Sequence, residues 1–147
     1  MRYEYPQGRR VNALATFEPF APVPALDVVS FERTLTSDDL TAYLRDRLPA
    51  AEVPRVVVLD NAGMHTSKVV KAARPGLAKL GVFLYYLPPY SPQLNHIEPV
   101  FKQVKHHDMP TRSFTSREEL RTAVQEGFDT FRQRLTRKRD KPPRRHA

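Results

Sequence analysis

The chain has 147 residues, 40% of them hydrophobic, and a net charge of +8. That length suits one ordinary domain, and the basic balance favours an anionic partner, nucleic acid first; the blander reading is a basic protein with a solvated surface. The absence of cysteine excludes disulfides and thiolate metal sites, no apolar run approaches the roughly 20 residues of a bilayer span, and the N-terminal MRYEYPQGRR lacks the apolar stretch of a signal peptide, so the expected compartment is the cytoplasm.

No internal repeat is present. Met1 to Gly8 reads as polar and irregular. Arg10 to Phe17 alternates in part and predicts a strand. Glu18 to Ala25, with Pro19, Pro22 and Pro24, predicts a turn. Leu26 to Phe31 predicts a second strand, completing a hairpin with a long loop. Thr36 opens a helix, with Asp39 placed for a capping box and Leu40, Tyr43, Leu44 and Leu48 as its apolar stripe. Pro49 and Pro54 bracket its exit.

Arg55 to Leu59 contains a short continuous apolar run, the pattern of a strand buried on both faces. Ser67 to Leu80 predicts a helix with basic residues on one side, and Gly81 is its stop signal. Val82 to Leu87 predicts another buried strand. Strand, helix and strand together predict a parallel pair with a right-handed crossover. A third helix is expected from about Leu94 to His107, with Ile97, Val100, Phe101 and Val104 inward and Pro99 early, where a missing N–H costs little. Ser116 and Glu119 suggest a second capping box. The helix it opens turns Leu120, Val124, Phe128, Phe131 and Leu135 inward. The stretch from Arg137 to Ala147, RKRDKPPRRHA, is basic and expected to be disordered.

Two carboxylates stand where a divalent-metal phosphodiester site needs them. Asp60 follows a buried strand, and ligands of open α/β sheets bind beyond the carboxyl ends of strands. Glu98 lies in the first turns of a helix, one position off its apolar stripe. The bland alternatives are a turn Asp in Asp60-Asn61 and a first-turn Glu favoured by the helix dipole. Mg²⁺ or Mn²⁺ takes oxygen ligands, and two such ions about 4 Å apart activate an attacking oxygen and stabilise a leaving one. His65 and Asn61 share a loop with Asp60, and Asn95 and His96 stand just ahead of Glu98. Each His reads either as a loop-fixing side chain or as a support of the site. A zinc site from Asp60, His65 and His96 is a weaker alternative, because no spaced His pair on a helix supports it. Pro88-Pro89-Tyr90-Ser91-Pro92 reads as a stiff connector in which Tyr90 can pack or stack; the bland reading is an ordinary Pro-rich turn.

LDNAGMH followed by LPPYSPQLNHIEPVFKQVK closely resembles the DDE catalytic domain of bacterial transposases, in the insertion-sequence 630 branch of the mariner-like superfamily. The resemblance runs from about Arg9 to Leu135. It implies an α/β fold with a ribonuclease-H-like mixed sheet and flanking helices, and metal-dependent DNA cleavage and strand transfer. By motif, Asp60 and Glu98 correspond to the second and third acidic ligands of a two-metal Mg²⁺ or Mn²⁺ site. Asn61, His65, Ser91 and Asn95 correspond to supporting positions, and His96 departs from the Pro that the family usually has there. Lys68, Lys71, Arg74, Lys102 and Lys105 are the expected DNA contacts, and the family acts as a homodimer on paired DNA ends.

In relatives the first acidic ligand sits on a strand ahead of the one expected from Arg10, and nothing in Met1 to Gly8 resembles that strand. The sequence therefore reads as an irregular remnant (1–8), a transposase catalytic domain without its first strand (9–136) and a basic tail (137–147), inactive alone. Two alternatives remain: a non-catalytic DNA-binding or oligomerising remnant, whose binding would be steeply salt-dependent, and, more distantly, a ribonuclease-H-like nuclease or resolvase.

Overall fold

The computed structural model describes residues 2–4, 10–20, 24–49, 52–109 and 114–139. The chain divides into two compact units, Met1–Thr34 with His96–Ala147, and Leu35–Asn95. Its class is mixed α/β, with small sheets and flanking helices, compatible with a ribonuclease-H-like domain. Among the described residues no helix is long and apolar enough to cross a membrane.

The first unit is built on an antiparallel sheet of β1 (Arg2–Glu4), β2 (Arg10–Glu18) and β3 (Ala25–Phe31), in that order. Where the sequence reads as an irregular remnant with no strand ahead of the one from Arg10, Arg2–Glu4 forms one. Three residues are too few to show a period, and what makes them a strand is pairing with β2, from Arg2 opposite Asn12 to Glu4 opposite Arg10. The hairpin of β2 and β3 is as expected, Asn12 facing Phe31 and Glu18 facing Ala25; residues 21–23 of its loop lie outside the described residues.

Along β3, Leu26, Val28 and Ser30 are buried and alternate with less buried neighbours, the mark of a sheet covered on one face. The cover is helical: α3 (Ile97–Gln103), a π-helical turn (Val104–Asp108) and α4 (Arg117–Arg139). Val100, Val104, Leu120, Val124 and Phe128 pack on Val11, Ala13, Leu26 and Val28 as one core. Two arginines of α4 also satisfy β3. Arg121 donates to the carbonyl and hydroxyl of Ser30, both at 3.1 Å, and Arg132 donates to the carbonyl of Leu26 at 3.0 Å. The pairing of 121 with 30 and 132 with 26 means that α4 runs antiparallel to β3.

The single helix expected from Leu94 to His107 is divided. A 3₁₀ turn covers Pro92–Leu94, α3 starts at Ile97, and the helix widens after Gln103, where the Met109 amide bonds the Val104 carbonyl at 3.0 Å, five residues back. Gly127 of α4 lies against this widened turn; a Cβ there would come within 3.1 Å of both Val104 and Met109 side chains. Asp108, at the end of the turn, is nearly buried and ion-paired with Arg134 of α4. The expected disordered tail begins as helix, since α4 continues to Arg139; residues 140–147 lie outside the described residues.

The second unit holds α1 (Ser37–Arg47), β4 (Arg55–Leu59), α2 (Lys68–Lys79) and β5 (Val82–Tyr86). The predicted capping box closes on α1: the Thr36 hydroxyl accepts from the Asp39 amide at 3.3 Å, and the Asp39 carboxylate accepts from the Thr36 amide at 2.8 Å. β4 and β5 pair in parallel, Arg55 opposite Val82 through Leu59 opposite Tyr86, with α2 as the crossover. Gly81 stops α2 at φ +80°, its amide bonding the Ala78 carbonyl at 3.0 Å, a conformation that glycine adopts without strain.

The expectation that both strands are buried on two faces is corrected here. Val82 and Leu84 are buried, but Val56 is 66% exposed, Val58 51%, Phe83 45% and Tyr85 57%. Within this unit α2 packs on β5 and α1 packs on α2, so one face of the pair is covered. A continuous apolar run predicts two-sided burial only when a second layer is supplied.

Candidate functional site

Asp60 is the first residue past β4, and its carboxylate is fixed on both oxygens. Oδ1 accepts from the Ala62 amide at 3.0 Å and faces His65 Nδ1 at 2.8 Å. Oδ2 is reached by the Asn95 side-chain amide at 3.4 Å, a long bond that leaves its lone pairs open. The Asp60 side chain is 42% exposed and that of His65 21%. An ionised carboxylate only accepts, so a hydrogen bond between the two has His65 Nδ1 as its donor.

The loop after Asp60 is short and internally bonded, with the amides of His65 and Thr66 both donating to the Ala62 carbonyl at 2.9 and 3.1 Å. Two further bonds tie it to the end of β5. The Asn61 side-chain amide donates to the Leu87 carbonyl at 2.7 Å, and the Tyr86 hydroxyl donates to the His65 carbonyl at 2.6 Å. The Leu87 amide in turn donates to the Leu59 carbonyl at 2.8 Å, continuing the ladder one step beyond the strands. Asp60 is thus a partly exposed carboxylate on a rigid strand end.

Of the residues predicted from sequence, Asp60, Asn61, His65 and Asn95 come together in this way. Ser91 does not join them; its hydroxyl bonds the Pro89 carbonyl at 3.4 Å within its own loop. Tyr86 is a member that sequence reading missed. It sat in an apolar strand pattern, and its hydroxyl was the one signal that it needed a polar partner.

Lys68 and Lys71 are exposed on α2. Arg74 donates to the Leu84 carbonyl at 3.3 Å and lies 5.7 Å from the centre of the Tyr86 ring, so it braces β5. Glu98, Lys102 and Lys105 belong to the other unit. Glu98 is exposed in the first turn of α3, with no hydrogen-bond partner among the described residues, and Lys102 and Lys105 are exposed further along. His96 meets Phe20 edge to face at 5.3 Å.

The Asp60 carboxylate suits a hard divalent cation: it is an oxygen donor with an open oxygen, held by neighbours that do not compete for that oxygen strongly. A cation there would take further ligands besides this carboxylate. Among the described residues no group of three or more His, Asp or Glu side chains is placed to hold a metal.

No curated protein matches the chain. The sequence profile of the DDE superfamily endonuclease family matches residues 2–121, most of the chain. This match and the α/β architecture agree with the expectation of a nuclease or transposase type of function acting on DNA. The chain belongs to the DDE superfamily endonuclease family.

Proposed function

We propose that this chain is catalytic-domain sequence of a DNA transposase of the insertion-sequence 630 branch, with Asp60 and Glu98 as metal-holding carboxylates for DNA strand cleavage and strand transfer. The observation that carries the reading is the Asp60 carboxylate, poised at the end of a parallel strand and oriented by Ala62, His65 and Asn95. A bound Mg²⁺ or Mn²⁺ pair would activate the attacking oxygen and stabilise the leaving one. The chain's own residues would do the rest. Asp60 offers Oδ2 outward while His65 keeps a proton at Nδ1, on the opposite oxygen. Asn61 and Tyr86 hold the loop to β5. Glu98 is an exposed carboxylate on a helix start, without a hydrogen-bond partner among the described residues, and supplies a second ligand. A two-cation site takes a third carboxylate besides these two.

The test is cleavage of a DNA end in Mn²⁺ by a transposase that carries this region. Asp60→Asn and Glu98→Gln each abolish cleavage and leave DNA binding in place. Undiminished cleavage in either variant contradicts the reading.

A second reading has a specific observation in its favour. Lys68 and Lys71 are exposed on α2, a basic surface that phosphates can contact without a metal. A non-catalytic DNA binder would bind without metal and lose affinity steeply with salt. Affinity indifferent to salt would exclude it.

A further inference from the structure

The loop between β5 and Asn95 has one conformation that metal binding does not explain. Tyr90 has φ +58° and is the one non-glycine residue with positive φ among the described residues. Bulky L-residues rarely occupy that region, whereas Gly or Asn would hold the same turn with less strain. The ring gains nothing from the arrangement: it is fully exposed, at 101% of its reference area. Both the backbone and the exposed aromatic surface therefore work against the stability of the folded chain. Strain of this kind marks positions whose side chain has a use outside the fold.

The loop that carries the ring is stiff. Pro88, Pro89 and Pro92 fix their own φ angles, and the Leu94 amide bonds the Ser91 carbonyl at 3.1 Å. Its two ends are tied to consecutive residues of the strand end already described. Asn61 holds the Leu87 carbonyl at 2.7 Å, and Asn95 reaches Asp60 Oδ2 at 3.4 Å. The backbone that carries the exposed ring is thus tied to the strand end that bears the Asp60 carboxylate, within one unit of the chain.

We propose that Tyr90 is a stacking platform for an unpaired nucleobase of the DNA strand whose phosphodiester is addressed at Asp60. The inference rests on the proposed function. The ligand class is single-stranded DNA, or the unpaired nucleotides of an opened duplex end. Stacking on an aromatic face tolerates any base, and a loop backbone already stiffened by its prolines loses little freedom when a base covers the ring it carries.

The experiment titrates the 147-residue chain with a single-stranded oligonucleotide carrying one 2-aminopurine, following both affinity and fluorescence over a range of salt. Tyr90→Phe keeps the aromatic face. Tyr90→Asn removes it and tolerates the left-handed turn, so its melting temperature should equal or exceed that of the wild type. The wild type and Tyr90→Phe should quench the probe and bind alike. Tyr90→Asn should bind about tenfold more weakly, lose the quench, and keep the same slope of affinity against salt, since no phosphate contact is removed. Asp60→Asn should keep the quench. Equal affinity and quench in Tyr90→Asn would overturn the platform alone and leave the metal reading standing. Failure of the wild-type chain to bind any oligonucleotide would overturn the platform and the DNA reading together.

Discussion

His65 Nδ1 lies 2.8 Å from Asp60 Oδ1, while the carbonyl of the same His65 accepts the Tyr86 hydroxyl at 2.6 Å. One residue thereby links the carboxylate at the end of β4 to the last residue of β5. The imidazole orients Asp60, and the backbone of His65 is itself held by the neighbouring strand.

Asn places its side-chain nitrogen where His has Nδ1, and Gln places it one bond further out. His65→Ala should therefore lower Mn²⁺ affinity by about 10–100-fold, the usual effect of removing a group that orients a metal ligand. His65→Asn should recover most of the loss and His65→Gln little of it. An electron-paramagnetic-resonance titration of free Mn²⁺ gives the three affinities, and equal behaviour of the Asn and Gln variants would remove the orienting role.

Tyr86→Phe deletes one hydroxyl and no packing. The His65 carbonyl then loses its donor, at a cost of about 1 kcal/mol, typical of a net hydrogen bond. Asn61→Ala should cost a similar amount by freeing the Leu87 carbonyl. Both losses should appear in urea unfolding as a lower midpoint with an unchanged slope. A stability equal to that of the wild type in both variants would show that the loop needs neither tie.

Gly127→Ala sets two effects against each other. Alanine favours a helix interior by roughly 1 kcal/mol, but its Cβ would sit 3.1 Å from Val104 and Met109. Val104 is fully buried and has no room to turn away. Overpacking of a tight core costs about 1–3 kcal/mol, so the net outcome should be destabilisation, read as a lower melting temperature. A rise would mean that the widened turn yields.

Sequence legibility followed the range of the forces involved. Thr36 and Asp39 form the predicted box because every partner is local. At the second box the Glu119 amide bonds the Ser116 hydroxyl at 3.0 Å, as expected, and the Glu119 carboxylate also accepts from the Thr115 amide and hydroxyl. Asp60 was legible as the residue after an apolar strand. Its grip by His65 was not, since a loop spacing of this kind has no period. The outward exposure of Val56 and Val58 was hidden for a related reason, because a run of valines does not say how many layers will cover it. The π-helical turn packs against Gly127, distant in sequence, and the helical pattern of Val100 and Val104 runs straight through it.

The central claim is that Asp60 holds a divalent cation. It is tested most directly by adding Mn²⁺ below stoichiometry to the ¹⁵N-labelled chain and following amide signals. The account predicts that the signals of Ala62, His65 and Asn95 broaden first, and that Asp60→Asn abolishes this while the rest of the spectrum stays folded. Broadening that spares these three amides, or that survives Asp60→Asn, would contradict it.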